Sequence, residues 1–180
     1  MVTRSDPTLV PDPTATEEEF EALYRAELPR VFNFFRYRVC DGALAEDLTS
    51  ETFEKAWRNR KRYKRNLAAF STWLFTIARR VAADHYRKDR AEVSLDDLSG
   101  IAVIETTEDL ALRRADFERL AVLLARLGER ERELVALKYG GGLTNRTIAG
   151  LTSLSESNVG VILHRTVQVL RAGWDNSHER

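Results

Sequence analysis

Apolar residues recur at three- and four-residue steps along most of the chain, which is the repeat of an amphipathic helix. The first pattern begins at Glu17, and Pro29 inside it predicts either a kink or a fresh helix start. No strand pattern competes with these repeats, so the sequence predicts an all-α protein. After the first helix, the predicted elements cover about residues 43–59, 68–88, 108–127, 129–139, 144–151 and 155–172.

The last two predicted helices fit a helix-turn-helix, in which a short helix and a tight connection present a longer helix to a DNA groove. Thr144 and Ser155 are suited to cap the two helices. The three glycines at 140–142 are expected to end the helix before them. An ordinary helical hairpin is the alternative that this segment alone leaves open.

The final helix has an apolar and a polar face when its residues are set about 100° apart. Its inward residues are predicted to be Val159, Leu163, Thr166 and Leu170. Val161 is predicted to be exposed, where it could meet a thymine methyl group. A merely tolerated surface residue is the alternative. The rest of the exposed face consists of Ser157, His164, Arg165, Gln168 and Arg171.

Composition narrows the class of protein. The 180 residues are 43% hydrophobic, which is enough to form globular cores, and no apolar run approaches the roughly 20 residues that span a bilayer. The single cysteine, Cys40, excludes an internal disulfide and is expected in the core or at a helix end. The three histidines are too scattered for a metal site, so neither metal nor cofactor is expected. No nucleophile–base pair or phosphate loop supports an enzyme.

The formal net charge of zero hides an alternation along the chain. Residues 25–90 carry sixteen Lys or Arg against eight Asp or Glu, whereas residues 91–112 carry six acidic residues and no basic one. Residues 1–16 are rich in proline and predict a mobile tail. The pattern predicts two basic helical modules joined by an acidic linker.

A basic loop precedes the third helix. The stretch RNRKRYKRN at 58–66 places six Lys or Arg around Tyr63. Phosphates require positive charge and unstacked bases accept an aromatic platform, so the loop favours single-stranded nucleic acid. A solvated basic surface is the alternative. Opposite the apolar stripe of the third helix, the predicted face contains Phe75, Arg79, Ala83 and Tyr86, with Arg80 and Arg87 at its edge.

The second helix carries a charged strip of Asp47, Glu51, Glu54 and Arg58. The strip is interpreted either as a solvated face or as a docking surface for a basic partner. The residues predicted to face away from it are Leu48, Thr52, Phe53 and Ala56.

Three motifs in this order resemble bacterial sigma factors of the extracytoplasmic-function class. LAEDLTSETFEKAW at 44–57 is similar to the family's core-polymerase-binding helix, and FSTWLFTIARRVAADHYRKDR at 70–90 to its promoter-melting, minus-ten-reading segment. LGERERELVALKYGGGLTNRTIAGLTSLSESNVGVILHR at 127–165 is similar to its minus-thirty-five module. Where the family frequently has Lys-x-Arg, this chain has Gly160-Val161-Ile162, and Ser153 stands where the family usually has glycine.

The resemblance implies a role for each surface. Asp47 and Glu51 would lie near the clamp helices of the polymerase largest subunit, within a core-binding set completed by Glu54 and Arg58. The acidic linker would run towards the RNA exit path and mimic nucleic acid by its charge. The candidates for minus-ten DNA are Arg62, Tyr63, Lys64, Arg65, Phe75, Arg79, Arg80, Tyr86 and Arg87. The candidates for minus-thirty-five DNA are Thr144, Ser155, Ser157, Asn158, Val161, His164, Arg165 and Gln168.

The sequence thus predicts an all-α sigma factor with two small helical domains. It would bind core RNA polymerase and promoter DNA, both duplex and melted, in the bacterial cytoplasm and at the nucleoid during initiation, without membrane insertion or catalysis. The family implies an anti-sigma protein as a candidate further partner. A free-standing helix-turn-helix regulator is the alternative. The expected boundaries are a tail at 1–16, a sigma-2-like bundle of three to four helices at 17–90, the linker at 91–106, a sigma-4-like domain at 107–174 and a tail at 175–180.

Overall fold

The computed structural model describes residues 17–63, 69–92 and 108–176. Within these ranges the chain is helical and has no strand, which confirms the all-α prediction. The predicted N-terminal tail, most of the acidic linker and the last four residues lie outside the described residues. The α-helices are α1 (Glu17–Val39), α2 (Gly42–Asn59), α3 (Phe70–Glu92), α4 (Glu108–Ala125), α5 (Glu129–Val135), α6 (Asn145–Thr152) and α7 (Glu156–Asn176).

The helix α1 continues through Pro29 and ends in a tight turn. At that turn Cys40 has a φ of 60°, a left-handed conformation that stops the helix. The Asp41 side chain then accepts a hydrogen bond of 2.8 Å from the backbone N–H of Leu44, which caps α2. Cys40 is therefore a helix-end residue, and the short turn sets α1 and α2 side by side.

The N-terminal half of the described chain, α1 to α3, packs around large aromatic side chains. Phe34 and Phe35 of α1 are fully buried, and Phe34 meets Phe75 of α3 edge to face, with ring centroids 5.6 Å apart. At the other end of the bundle, Tyr63 packs on Phe70 and Trp73. These contacts hold the three helices and the start of the loop between α2 and α3 in one core.

The C-terminal half, α4 to α7, contains the predicted helix-turn-helix. Thr144 caps α6 by accepting from the N–H of Thr147 at 3.1 Å, and Ser155 Oγ accepts from the N–H of Asn158 at 3.1 Å at the start of α7. Both predicted caps are confirmed. Ser153, in the turn, has a φ of 57° and a ψ of 26°, the left-handed conformation that glycine adopts most easily. The turn therefore keeps the geometry expected of glycine although serine occupies it.

A π-helical segment, Ala136–Gly140, joins the two halves by packing on α1. A Cβ atom on Gly140 would lie 2.6 Å from the carbonyl oxygen of Asn33 and 2.9 Å from the Cα of Phe34. A Cβ on Gly141 would lie 2.7 Å from the Phe75 ring. Only glycine permits this approach, so the segment predicted to end a helix also seats one half of the molecule on the other.

Candidate polymerase and nucleic-acid interface

The charged strip on α2 has the exposure that its sequence pattern predicts. Asp47, Glu54 and Arg58 are exposed and Glu51 is partly exposed, while the four residues predicted to face away are buried. Glu51 pairs with Lys55 at 2.7 Å, and Glu54 pairs with Arg58 one turn further along. Such pairs between residues four apart on an exposed helix face contribute only a few tenths of a kcal/mol. Breaking these pairs therefore costs little free energy, so the side chains can exchange their present partners for groups on another protein.

A shallow apolar groove lies beside this strip. Leu28, Pro29 and Phe32 of α1 form one wall, and Glu46, Thr49 and Ser50 of α2 form the other. In a helix, residues one position apart point to neighbouring rows, so the row of Glu46 and Ser50 lies next to the row of Asp47 and Glu51. The face of α2 thus combines acidic side chains with an adjacent apolar surface.

The basic loop begins with a 3₁₀ turn at Arg60–Arg62. The Arg60 guanidinium lies 3.7 Å from the centroid of the Trp57 ring, and Arg62 is exposed. Tyr63, expected as a stacking platform, is instead 5% exposed and packs among core aromatic rings. The buried Tyr63 ring anchors the start of the loop to the core, so the loop exposes the basic side chain of Arg62 and not the aromatic ring. Lys64 and Arg65 lie outside the described residues.

The face of α3 opposite its apolar stripe is not a free surface. Phe75 was expected there, but it is fully buried between Phe34 and Gly141, so this assignment is wrong. The helix is covered on two sides, by α1 and α2 on one and by the C-terminal half on the other. A single helical wheel distinguishes one buried face from one exposed face and cannot represent this second contact.

Arg79 lies at the contact between the halves. Its Nε donates to Glu133 Oε1 at 2.9 Å, and its Nη1 donates to the carbonyl oxygen of Leu151. Both partners belong to the C-terminal half, at α5 and at the end of α6. The neighbouring basic residues Arg80 and Arg87 are exposed, and Arg87 pairs with Asp84 on its own helix. Of these three arginines, Arg79 is thus the one whose charge is engaged across the interface.

A second cross-interface cluster surrounds Tyr86. Its hydroxyl donates to the carbonyl oxygen of Arg38 at 2.7 Å, and the Arg38 and Arg132 guanidinium carbons lie 4.6 and 5.9 Å from its ring centroid. Arg38 is 4% exposed and reaches Glu129 at 3.3 Å. Among the described residues, Arg38 Nε and Nη1 and Arg132 Nε have no hydrogen-bond partner. A buried unsatisfied donor costs about 1–3 kcal/mol, so this part of the interface is held at a cost.

The same cluster shifts the proton affinity of two side chains. Burial raises the pKa of the Cys40 thiol, and the positive charges of Arg132 and Arg38 oppose the shift without cancelling it. Burial likewise raises the pKa of the Tyr86 phenol against the same two arginines. Both groups therefore remain neutral in the folded protein at neutral pH.

The outer face of α7 is open. Val159, Leu163 and Thr166 are buried as predicted, and Leu170 is half-buried. Val161 is 45% exposed, which confirms its predicted position. The other residues of the predicted exposed face are exposed as well, namely Ser157, His164, Arg165, Gln168 and Arg171, and so is the further candidate Asn158.

The protein interior does not require glycine at position 160. A Cβ there would meet Asn145 Nδ2 at 3.6 Å, an ordinary van der Waals distance. At the amino ends of the two helices, Arg146 lies 3.7 Å from Glu156. The helix-turn-helix therefore presents a small, mixed apolar and polar surface at Gly160 and Val161, flanked by basic residues.

None of the helices within the described ranges combines the length and the apolar character needed to cross a membrane.

Comparison with known proteins assigns both halves to one family. The family model for sigma-70 region 2 matches residues 23–92, and the model for sigma-70 region 4 matches residues 117–170. The chain is 34% identical to the RNA polymerase sigma factor CarQ of Myxococcus xanthus, over 86% of this chain and 88% of CarQ. The chain belongs to the sigma-70 family, in its extracytoplasmic-function class. This confirms the resemblance carried by the three motifs.

Two further relatives of this sigma factor extend the comparison. It is 31% identical to the extracytoplasmic-function sigma factor BldN of Streptomyces coelicolor, over 85% of this chain but only 59% of the length of BldN. Its fold is similar to that of the sigma factor RpoE, solved in complex with the anti-sigma factor NepR from Bartonella quintana. The TM-score is 0.69 and the identity 20%, over 88% of this chain and 98% of RpoE. The similarity to RpoE supports the all-α fold with two helical domains.

Proposed function

We propose that this sigma factor binds core RNA polymerase and directs it to promoters through two DNA-reading domains, at about 17–90 and 107–174. The observation that carries the proposal is the tandem match of region 2 to α1–α3 and region 4 to the helix-turn-helix half. The helix-turn-helix half alone would not distinguish this function from that of a free-standing regulator, and the region 2 match is what separates the two. In this proposal the chain acts by binding rather than by catalysis, and it does so in the bacterial cytoplasm.

The polymerase-binding surface in this proposal is the outer face of α2. Asp47 and Glu51 lie one turn apart on that face, and both are accessible. The local pairs of Glu51 with Lys55 and of Glu54 with Arg58 are weak enough to be exchanged for partners on another protein. The apolar groove beside them adds surface whose burial would favour binding. We infer that a basic helix of the polymerase with an apolar edge docks here.

The minus-ten surface in this proposal consists of charge rather than aromatic platforms. Arg62, Arg80 and Arg87 are exposed and can each neutralise a phosphate of the non-template strand. Arg79 joins them when the C-terminal half is displaced from it. Because Tyr63 and Phe75 are buried, stacking on their rings is not part of the proposal. Tyr86 serves as a hydrogen-bond donor to α1 rather than as a base platform.

The minus-thirty-five surface in this proposal is the outer face of α7. Arg165 and the two helix starts bring positive charge and backbone N–H groups towards phosphates, whereas Val161 is placed to contact the methyl group of a thymine. Thr144 and Ser155 act as caps whose hydroxyls lie at the two helix starts. The other proposed polar contacts are Ser157, Asn158, His164 and Gln168.

A regulatory partner of the anti-sigma class is part of the proposal. RpoE was solved with the anti-sigma factor NepR, and CnrH, which has a TM-score of 0.68 to this chain, was solved with the cytosolic domain of CnrY. We infer that a protein of this class is a candidate partner here. Isolation of this sigma factor from its native cell under non-inducing conditions should yield such a protein in a stoichiometric complex.

The decisive experiment for this function is reconstitution. Purified full-length protein should bind core RNA polymerase and support run-off transcription from a subset of a promoter library. The double variant Asp47→Arg/Glu51→Arg should lose core binding, because it reverses two charges on the proposed docking face. The control Glu21→Arg reverses an exposed charge on α1 that is paired with Arg25 four residues away, and it should bind core normally. Duplex DNA binding without any binding to core would favour the free-standing regulator instead.

A further inference from the structure

Gly160 lies on α7 at a position where the packing of the protein does not require a glycine. Its backbone has the helical conformation of the rest of α7 and no positive φ. A Cβ there would come no closer than 3.6 Å to its nearest described neighbour, Asn145 Nδ2. Glycine inside a helix is destabilising relative to alanine. The chain therefore gives up helix stability where alanine would fit, which favours a role for the empty space outside the protein.

The space beside Gly160 uncovers the side-chain amide of Asn145. Asn145 is the first residue of α6, directly after the cap Thr144. Apart from the adjoining chain of α7, its Nδ2 is the only described heavy atom within 4 Å of the Cβ position at Gly160. No hydrogen bond within the described residues uses this nitrogen. The Oδ1 atom of the same amide is buried and likewise has no described partner. The amide thus turns its donor towards the gap although its oxygen gains no hydrogen bond in return.

The charges around the gap leave room for an anionic acceptor. Residues four apart on a helix share a row, so Glu156 precedes Gly160 on the same row of α7. The Glu156 carboxylate lies 3.7 Å from Arg146 Nε, and the exposed guanidinium offsets its negative charge. The stretch Gly160-Val161-Ile162 carries no charge of its own. A negatively charged oxygen can therefore approach Asn145 Nδ2 without meeting an uncompensated carboxylate.

The place of the gap in the helix-turn-helix identifies this acceptor. In this motif the second helix enters the major groove and the first helix crosses the sugar–phosphate backbone. Asn145 stands at the start of the first helix and Gly160 on the second, so the gap lies where the two meet at the edge of the groove. The acceptor at that edge is a phosphate oxygen, and asparagine side chains are among the groups that bind phosphates there.

We propose that Asn145 anchors the minus-thirty-five duplex by donating a hydrogen bond from Nδ2 to one backbone phosphate, and that the absent side chain at Gly160 gives the strand room to reach it. The inference rests on the proposed function, because it takes the outer face of α7 as the surface that enters the groove. Asn145 is neutral, so its contact lacks the steep salt dependence of a contact by lysine or arginine. It adds affinity at the part of α7 that carries no positive charge.

Three variants of the full-length protein test the contact. Asn145→Ala removes the donor. Asn145→Asp keeps the side-chain shape but presents a carboxylate to the phosphate, and an acidic residue in the first turn favours the helix. Gly160→Ala covers Nδ2 with a methyl group and also favours the helix, so that unfolding would not explain a loss of affinity. The controls are Asn176→Ala at the exposed end of α7 and Gly150→Ala, where a Cβ would meet nothing within 4 Å.

The affinity for duplex DNA is the first measurement. The wild type selects a duplex from a randomised library, once bound to core RNA polymerase and once alone, and fluorescence anisotropy then gives the affinity of each protein over a range of salt concentrations. Asn145→Ala and Gly160→Ala should each lose roughly tenfold, and Asn145→Asp should lose more. Gly160→Ala should add little to Asn145→Ala in the double variant. Both controls should match the wild type.

The salt dependence separates this contact from one made by charge. The slope of log affinity against log salt concentration should stay at the wild-type value in Asn145→Ala, because no charge is removed. Arg165→Ala should lower the slope by about one. A slope that falls equally in both variants would contradict a neutral anchor.

Replacement of single phosphates by methylphosphonate locates the contact. At one phosphate the replacement should weaken binding of the wild type and leave Asn145→Ala unaffected. Unchanged affinity in Asn145→Ala, or equal losses in both proteins at every phosphate, would overturn the inference. Loss of core binding by the wild type would instead overturn the proposed function, and the measurements on the protein alone would still decide the role of Asn145. A wild type that selects no duplex in either form would overturn both.

Discussion

The reading face of α7 and the basic face of α3 were predicted by the same argument from periodicity, yet they differ in the folded protein. The face of α7 is exposed along its length, with Val161 45% exposed. The corresponding face of α3 has Phe75 fully buried, Arg79 paired across the interface and Tyr86 beneath two guanidinium groups. One of the two proposed nucleic-acid surfaces is therefore open to solvent, whereas the other is engaged in contacts within the protein.

The difference teaches that a basic helix with aromatic residues is not by itself a nucleic-acid platform. Aromatic rings on the polar side of a helix can equally mark a second packing partner, because burying a ring is strongly favourable. In α3 the two kinds of residue separate by depth, since Phe75 is inside whereas Arg80 and Arg87 are at the surface.

The largest expected effect comes from Phe75. Phe75→Ala should lower the free energy of unfolding by about 3–5 kcal/mol, because it removes a fully buried ring that packs on Phe34 and lies against Gly141. Equilibrium urea denaturation followed by circular dichroism measures the change. Val169→Ala serves as the exposed control and should stay within about 0.5 kcal/mol of the wild type. A stable Phe75→Ala protein that loses only DNA affinity would restore the platform interpretation.

Sequence periodicity correctly predicted the positions of residues whose burial depends on a single packing interface. The inward residues of α7 and the caps Thr144 and Ser155 follow from local pattern, because α7 packs on one side and caps act within four residues. The second contact of α3 depends on residues more than fifty positions away, such as Glu133. No local pattern encodes that distance.

The glycines at 140–142 show the same limit at a single site. Their presence correctly predicted the end of a helix, and Gly142 has a φ of 63°. The close approach of Gly140 to Asn33 was not predictable, because it requires knowledge of which helix lies opposite. What the sequence does contain is three successive glycines where one is enough to end a helix, and this surplus is the signal that could have indicated a close backbone contact without saying with which helix.

The buried cluster around Tyr86 predicts a dependence of stability on alkaline pH. Burial raises the pKa values of Cys40 and Tyr86, so the folded protein keeps both protons where the unfolded chain has begun to lose them. The free energy of unfolding therefore falls as the pH rises past their ordinary values of 9.0 and 10.0. Each group contributes at most about 1.4 kcal/mol per pH unit.

Urea denaturation from neutral pH upward measures this slope. Cys40→Ser should flatten the slope just above pH 9.0, and Tyr86→Phe should flatten it above pH 10.0. Each variant is the control for the other, because only the slope and not the absolute stability is compared. Identical slopes in wild type and Cys40→Ser would show that the thiol is not buried in the folded protein.

A smaller effect is expected in the helix-turn-helix, at the left-handed turn. Ser153→Gly should raise the free energy of unfolding by about 1 kcal/mol, because glycine adopts a φ near 57° without the steric cost that serine bears. Thermal and urea denaturation measure the gain. The same substitution at Ser157, which lies in the first turn of the right-handed helix α7, should instead lower stability by a few tenths of a kcal/mol, because glycine is a weaker helix former than serine. A loss of stability on Ser153→Gly would contradict the turn geometry.

The smallest change tests the open face itself. Val161→Ala should leave the free energy of unfolding within about 0.5 kcal/mol of the wild type, because the side chain is exposed. If the Val161 side chain contacts a thymine methyl group, the variant should nevertheless lose roughly 1 kcal/mol of discrimination at one base pair. This loss corresponds to about a fivefold change in relative affinity. Competition binding across a library of duplexes with each position varied measures it, with Val169→Ala, exposed two turns further along α7, as the control. A uniform loss of affinity across all positions would show that Val161 does not read a particular base. An unchanged profile would mean that Val161 is a tolerated surface residue and that Arg165 and Gln168 read the bases.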